Sequence, residues 1–382
     1  MEPTKLLHAV SHYRQHPSQH CHTPIHATPI LAALPFNGPN HGLPPNLEIT
    51  DSLPYSLFPA FFKTTETLLP SFQNLISKIS KQDNLPPLCL VSDIFLGWTV
   101  EVANNLNIFH TVLCTSGAYG TAVYNSVWTH MPHIYTEFEH IALPDFPKTT
   151  LHRSQLTNEM KLADGTDFAS VFLRRHIAYC MRTGGTLCNT LEGLEGIGIE
   201  QLRKTTKTSV WAVGPLLPRS LINPNFMEKG TDEHVWREQG LETVVCVERM
   251  DQYPPASILY VSFGSQFNIS EKQMKDLALG LEASGRPFIW SIRPPLGLPK
   301  IAEFSSESTG CFLRHCGWNS VMESLSKGVP IIGWPMGAEQ FFNVKLLVEE
   351  VGVCIELGRG QEEVVGWEKV ERAVRVVMGD EE

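Results

Sequence analysis

Basic charge is scarce in this chain of 382 residues: 30 Lys and Arg stand against 40 Asp and Glu, for a net charge of −10. That deficit argues against a nucleic-acid partner, because a phosphate backbone calls for a basic face. No apolar run approaches the roughly 20 residues that span a bilayer, and no apolar stretch follows a basic start as in a secretory signal. The nine cysteines include no CxxC pair, which suits a reducing compartment better than a disulfide framework. A soluble, cytoplasmic protein is the expectation. What is present in quantity is ordinary globular composition, 42% hydrophobic and 18% charged, in a length that accommodates two domains with full cores.

Glycine is missing altogether before Gly38, and residues 1–30 differ from the rest in other ways. They carry His8, His12, His16, His20, His22 and His26, whose four-residue step would line one helix face able to bind Ni²⁺ or Zn²⁺. Pro17 and Pro24 interrupt such a helix, so a disordered tail is expected there. Beyond it the pattern becomes orderly. A strand is predicted over 30–35, an amphipathic helix over 56–80, a buried strand over 88–91 ending at Ser92-Asp93, a helix over 95–106 and a strand over 111–114. Further strands are predicted over 187–189 and 210–213. This is a βαβ rhythm, and it places a first α/β domain over 31–215. Residues 216–255 are polar, charged and proline-bearing, the composition of an interdomain connection. A second α/β domain over 256–382 opens with a strand over 257–263 that turns at Gly264-Ser265. A helix over 271–284 and a strand over 288–292 follow.

The richest stretch runs from Phe312 to Asn343, FLRHCGWNSVMESLSKGVPIIGWPMGAEQFFN. It reads as a loop, a short helix stopped at Gly328, a strand over 330–334 and a second polar loop. A helix N-terminus gathers unpaired N–H groups and the positive end of the helix dipole, so it suits a diphosphate. Gly317 lets backbone approach a ligand, Asn319 and Ser320 offer short polar groups, His315 can donate, and Glu323 can accept from ribose hydroxyls. Each piece has a plainer alternative. Ser320 and Glu323 also form a capping box, Trp318 and Trp334 are ordinary core aromatics, and Cys311, His315 and Cys316 are candidate zinc ligands without a nearby second pair. None of these alternatives accounts for the joint order.

That stretch closely resembles the donor-binding signature of plant family 1 UDP-glycosyltransferases. Other strings resemble the family's landmarks in family order: VSDIFLGWTVEVAN, LPDFP, CNTLEGLE, WAVGPLLP, DQYPPASILYVSFGSQ and RPFIWSIRPP. The resemblance implies an α/β fold of GT-B type, with two Rossmann-like parallel-sheet domains facing across a cleft. UDP-sugar then lies on the C-terminal domain and a small-molecule acceptor on the N-terminal one, with no metal and no cofactor beyond the UDP-glucose co-substrate. Residue by residue, it implies that Ser265, His315, Gly317, Asn319 and Ser320 bind the phosphates, that Trp318 belongs to the same UDP-sugar-binding set, that Glu323 holds the ribose, and that Glu339 and Gln340 hold the sugar. A glutamine at the last position leans towards glucose. It implies that Asp93 orients a catalytic histidine that takes the proton from the acceptor; capping of the following helix is the plainer role for Asp93.

The chain also departs from the family pattern. No glycine-flanked histidine follows an apolar strand ahead of residue 31, so no base is assigned and the first strand-helix-strand is expected to be missing. Several dozen residues are expected to be missing near 295–308, where Gly297 stands at the position of a uracil-stacking tryptophan. The terminal helices are also expected to be missing after Glu382, and Arg249 stands where the family usually has tryptophan. The expectation is an inverting UDP-glucose-dependent transferase, impaired in turnover, acting on a phenolic or flavonoid-like acceptor. The alternative is a non-catalytic remnant that binds nucleotide or a small phenolic, or a misfolded gene product. Oligomeric state is not legible.

Overall fold

The computed structural model describes residues 38–44, 57–217, 250–264, 269–292 and 309–379. The tail over 1–30, the strand over 30–35, most of the connection over 216–255, Ser265, Arg249 and Gly297 lie outside the described residues. The chain divides into two compact units. One holds residues up to Glu137, Ala142–Thr149 and Leu162–Val213, and the other Phe138–Ile141, Thr150–Lys161 and the chain from Gly214 onward.

The first unit opens with α1 (Phe58–Glu66) and α2 (Leu69–Gln82) in place of the single helix predicted over 56–80. The break has a plain cause: Pro70 lacks an N–H and fits only the first turn of a helix, so α2 starts there. Leu68, Phe72 and Ile76, at four-residue steps, pack with Leu90, Trp98 and Val102. The Phe72 and Trp98 rings meet edge-on at 5.7 Å. Burying side chains of this size contributes on the order of 2 kcal/mol each.

The strands β1 (Cys89–Asp93) and β2 (Phe109–Cys114) flank α3 (Thr99–Asn105). Helix α4 (Ala118–His130), the two-stranded pair β3 (His140–Leu143) and β4 (Phe146–His152), and the short α5 (Asn158–Leu162) follow. Next come α6 (Phe168–Cys180), β5 (Gly185–Cys188), α7 (Glu192–Thr206) and β6 (Ser209–Ala212). Strands β1, β2, β5 and β6 form one parallel sheet in that order. The helix predicted over 95–106 starts late because residues Ile94–Leu96 first make one tight turn. Helix α4 gave no amphipathic signal because nearly its whole circumference is buried. Its N-terminus is held from a distance. The buried Glu195 carboxylate accepts from the Ala118 N–H at 2.8 Å and the Tyr119 N–H at 2.9 Å.

The second unit carries β7 (Ile258–Ser262), α8 (Glu271–Ala283), β8 (Phe288–Ser291), β9 (Thr309–Arg314), α9 (Trp318–Ser326) and β10 (Ile331–Gly333). Helix α10 (Gln340–Leu346), β11 (Cys354–Glu356) and α11 (Trp367–Val377) complete it. The sheet runs β11-β10-β9-β7-β8, with all pairings parallel. Alternate residues of β7 serve opposite faces. Leu259 and Val261 join Leu277 and Leu281 of α8 and Val370 and Val374 of α11, while Ile258 and Tyr260 join Met250 and Phe312. A strand covered on both faces reads as a continuous apolar run, which is why β7 was legible. Helices α8 and α11 approach closely: a Cβ on Gly280 would come within 2.5 Å of Val370. From β7 the chain steps to β8 on one side, whereas β9, β10 and β11 build outward on the other. The strand order therefore reverses between β7 and β9, where open α/β sheets form a ligand crevice beyond the strand ends.

Candidate active site

At that switch point two loops leave adjacent strands. Ser262 of β7 pairs with Arg314 of β9, so Gly264 and His315 emerge side by side. Gly264 has φ 71°, the left-handed region that glycine adopts without strain, and a Cβ there would come within 2.5 Å of the His315 ring. A Cβ on Gly317 would come within 2.6 Å of the same ring. The imidazole is thus seated between two glycines, and each must lack a side chain for it to fit. Helix α9 begins immediately afterwards with Gly317 as its N-cap residue, and no side chain caps it.

This corrects the capping-box alternative. Ser320 lies inside the first turn of α9, not at its cap, because the helix starts at Trp318. Ser320 is buried, and so is Trp318, whose indole belongs to the interior. Asn319 is exposed, while His315, Gly317 and Glu323 are half-buried. Beneath them Arg314, buried, donates from Nη1 to the Ser320 carbonyl and to Ser324 Oγ, and its guanidinium lies 3.7 Å from the Phe312 ring centroid. Sequence reasoning missed Arg314, although a charged residue closing the apolar run CFLR was the available signal.

The second polar loop is shorter than predicted, because Gln340 already begins α10. Its Oε1 accepts from the N–H groups of Met336 (2.9 Å) and Gly337 (3.1 Å). The amide oxygen therefore shapes the turn, and the NH₂ end is what remains for a ligand. Glu339, also buried, precedes it at the N-cap position. Asn343 on the same helix donates from Nδ2 to the Cys316 carbonyl at 3.0 Å and ties α10 to the His315 loop.

Asp93 belongs to the first unit, as the last residue of β1. Its Oδ1 accepts from the Phe95 N–H at 2.8 Å and caps the single turn over Ile94–Leu96, not α3. Burial pushes the carboxyl from an ordinary 3.8 up to about 6, against the lowering effect of that hydrogen bond. Ser265 follows Gly264 but lies outside the described residues. Among the described residues no group of three or more His, Cys, Asp or Glu is placed to hold a metal, and no helix is long and apolar enough to cross a membrane.

The comparisons agree with this geometry. Residues 247–382 match the family model described as UDP-glucoronosyl and UDP-glucosyl transferase. Crocetin glucosyltransferase 3 of Crocus sativus is 40% identical, over 92% of this chain and 79% of that protein. The chain belongs to the plant family 1 UDP-glycosyltransferases. It is a glycosyltransferase of GT-B fold that moves a sugar from a UDP-sugar donor to a small acceptor. Among solved structures, Glycyrrhiza uralensis UGT73P12 complexed with glycyrrhetinic acid 3-O-monoglucuronide gives a TM-score of 0.72 at 26% identity, covering 89% of this chain and 74% of that one. TcCGT1 in complex with UDP gives 0.68 at 28% identity, covering 85% and 74%.

Proposed function

We propose that the enzyme transfers glucose, with inversion, from UDP-glucose to a hydroxyl of a small phenolic, flavonoid-like acceptor in the cytoplasm. The observation that carries the donor half is the His315 ring seated between Gly264 and Gly317, beside a helix start that no side chain caps. In this reading the start of α9, with Gly317, Trp318, Asn319 and Ser320, receives the diphosphate, and His315 donates to it. Ser265 reaches the same phosphates, Glu323 accepts from the ribose hydroxyls, and Glu339 and Gln340 hold the sugar. Asp93 holds the position from which a carboxylate orients an imidazole base, for which no residue of this chain is assigned; such a base takes the acceptor's proton as the acceptor oxygen attacks the anomeric carbon and UDP leaves. No metal is assigned, and UDP-glucose is the co-substrate. The cytoplasmic placement rests on cysteines spread without paired motifs.

A second reading, reduced turnover down to a non-catalytic nucleotide-binding remnant, has its own support. Only residues 292–308 connect β8 to β9. The alignment with the crocus enzyme runs over 389 positions while covering 92% of this chain's 382 residues, so that relative carries stretches this chain does not. With Gly297 at the uracil-stacking position, a contact of about 1–3 kcal/mol is lost, and donor affinity falls by about tenfold or more. The test is incubation with UDP-glucose and a panel of phenolic acceptors, followed by mass spectrometry for hexose addition. The first reading expects glucosides that Asp93→Ala abolishes. UDP binding without product from any acceptor supports the second, and absence of UDP binding contradicts both.

A further inference from the structure

The loop that carries His315 contains a conformational oddity. Cys316 has φ 60°, in the left-handed region that residues with a Cβ adopt uncommonly and under strain. Such a conformation persists only where surrounding contacts over-determine it. Here the contacts are specific, and they include the Cys316 thiol donating to the Arg314 carbonyl at 3.7 Å. The Cys316 thiol is fully buried beside the Cys354 thiol, both packed against Gly333, and the Cys316 carbonyl accepts the Asn343 Nδ2 bond. Asn343 is fully buried on α10, a helix whose residues Gln340–Leu346 are all buried. Its Oδ1 has no hydrogen-bond partner among the described residues. A fully buried amide whose oxygen is unpaired carries a desolvation cost that an apolar side chain of the same volume would avoid, so its one hydrogen bond is the feature to explain.

We propose that Asn343 is a positioning residue for donor binding: by holding the Cys316 carbonyl it fixes the left-handed turn that aims His315 and the start of α9 at the diphosphate. This rests on the donor-site reading above. The role also links the two ends of the proposed donor pocket, because Asn343 sits one turn after Glu339 and Gln340 on the helix that would hold the sugar.

The test uses the full chain with Asn343→Leu, which preserves packing, and Asn343→Ala as a second variant. UDP affinity is read by calorimetry, and loop order by amide hydrogen exchange over residues 315–320 without ligand. Expected are faster exchange in that loop and UDP affinity lower by about tenfold, as for a lost buried hydrogen bond. The decisive arm is rescue. Cys316→Gly removes the strain at φ 60° and should restore most of the lost affinity in the Asn343→Leu background, whereas Cys316→Ala, which opens a comparable cavity but keeps the Cβ, should not. Unchanged exchange and affinity in both Asn343 variants, or equal behaviour of the glycine and alanine backgrounds, overturns the proposal. If wild type fails to bind UDP while the exchange pattern behaves as described, the donor-site reading falls and the clamp stands.

Discussion

Replacing Asp93 by Asn should make the protein more stable and less active. The carboxyl is buried at the end of β1, with its pKa pushed from 3.8 to about 6 by loss of solvation. In the unfolded chain it ionises near its ordinary value. Protonation of the folded form therefore contributes stability that is fully present below pH 3.8 and is lost as pH rises through 6. A gap of roughly two pH units, at 1.36 kcal/mol each, makes that loss about 3 kcal/mol at pH 7.5. Asparagine has the same shape, keeps an oxygen for the Phe95 N–H, and does not titrate. Urea unfolding should accordingly show Asp93→Asn more stable than wild type at pH 7.5 by up to about 3 kcal/mol, with the two converging below pH 4. All other titrating groups are shared, so the difference isolates this carboxylate. The same variant should lose glycosyl transfer, a trade between stability and function found where a buried, desolvated group does chemistry. A variant less stable at pH 7.5, or a difference that does not change with pH, would refute the reasoning.

Three further outcomes follow from the same geometry. Gly264→Ala would place a Cβ 2.5 Å from the His315 ring at φ 71°, so the ring must move, and UDP affinity by calorimetry should fall by about tenfold or more. Wild-type affinity there would mean that His315 does not need its seat. Glu195→Ala leaves the Ala118 and Tyr119 N–H groups buried without their acceptor and should lower stability by about 2 kcal/mol or more in urea; an unchanged midpoint would count against the cap. Because only the NH₂ of Gln340 remains for a ligand, Gln340→Leu should lower kcat/KM for UDP-glucose by about tenfold and narrow its preference over UDP-galactose. Equal use of the two donors by wild type would rule that assignment out.

What the sequence made legible was local or continuous. Strand β7 announced itself because both of its faces are buried, and the run from Phe312 to Gln340 because chemistry-bearing residues stand in a fixed order along one loop and helix. What it hid was pairing at a distance. Glu195 caps a helix start 76 and 77 residues away, and Asn343 holds a carbonyl 27 residues away, and neither partner leaves a trace near the residue itself. Local rules also misled where two competed. Ser320 and Glu323 satisfy the capping-box spacing, yet Gly317 takes the N-cap position three residues before Ser320. The spacing of apolar residues ran straight through Pro70, where the ring's missing N–H divides the helix. Helix α11 was obscured by its charged residues, although Val370, Ala373, Val374 and Val377 keep the helical step that seats it on the sheet.

Titration of UDP into the wild-type chain and into His315→Ala, each shown to be folded by its melting curve, bears most directly on the site. Saturable binding by wild type and affinity at least about tenfold lower in the variant is the outcome the switch-point donor pocket requires. Equal affinities in the two proteins would contradict it.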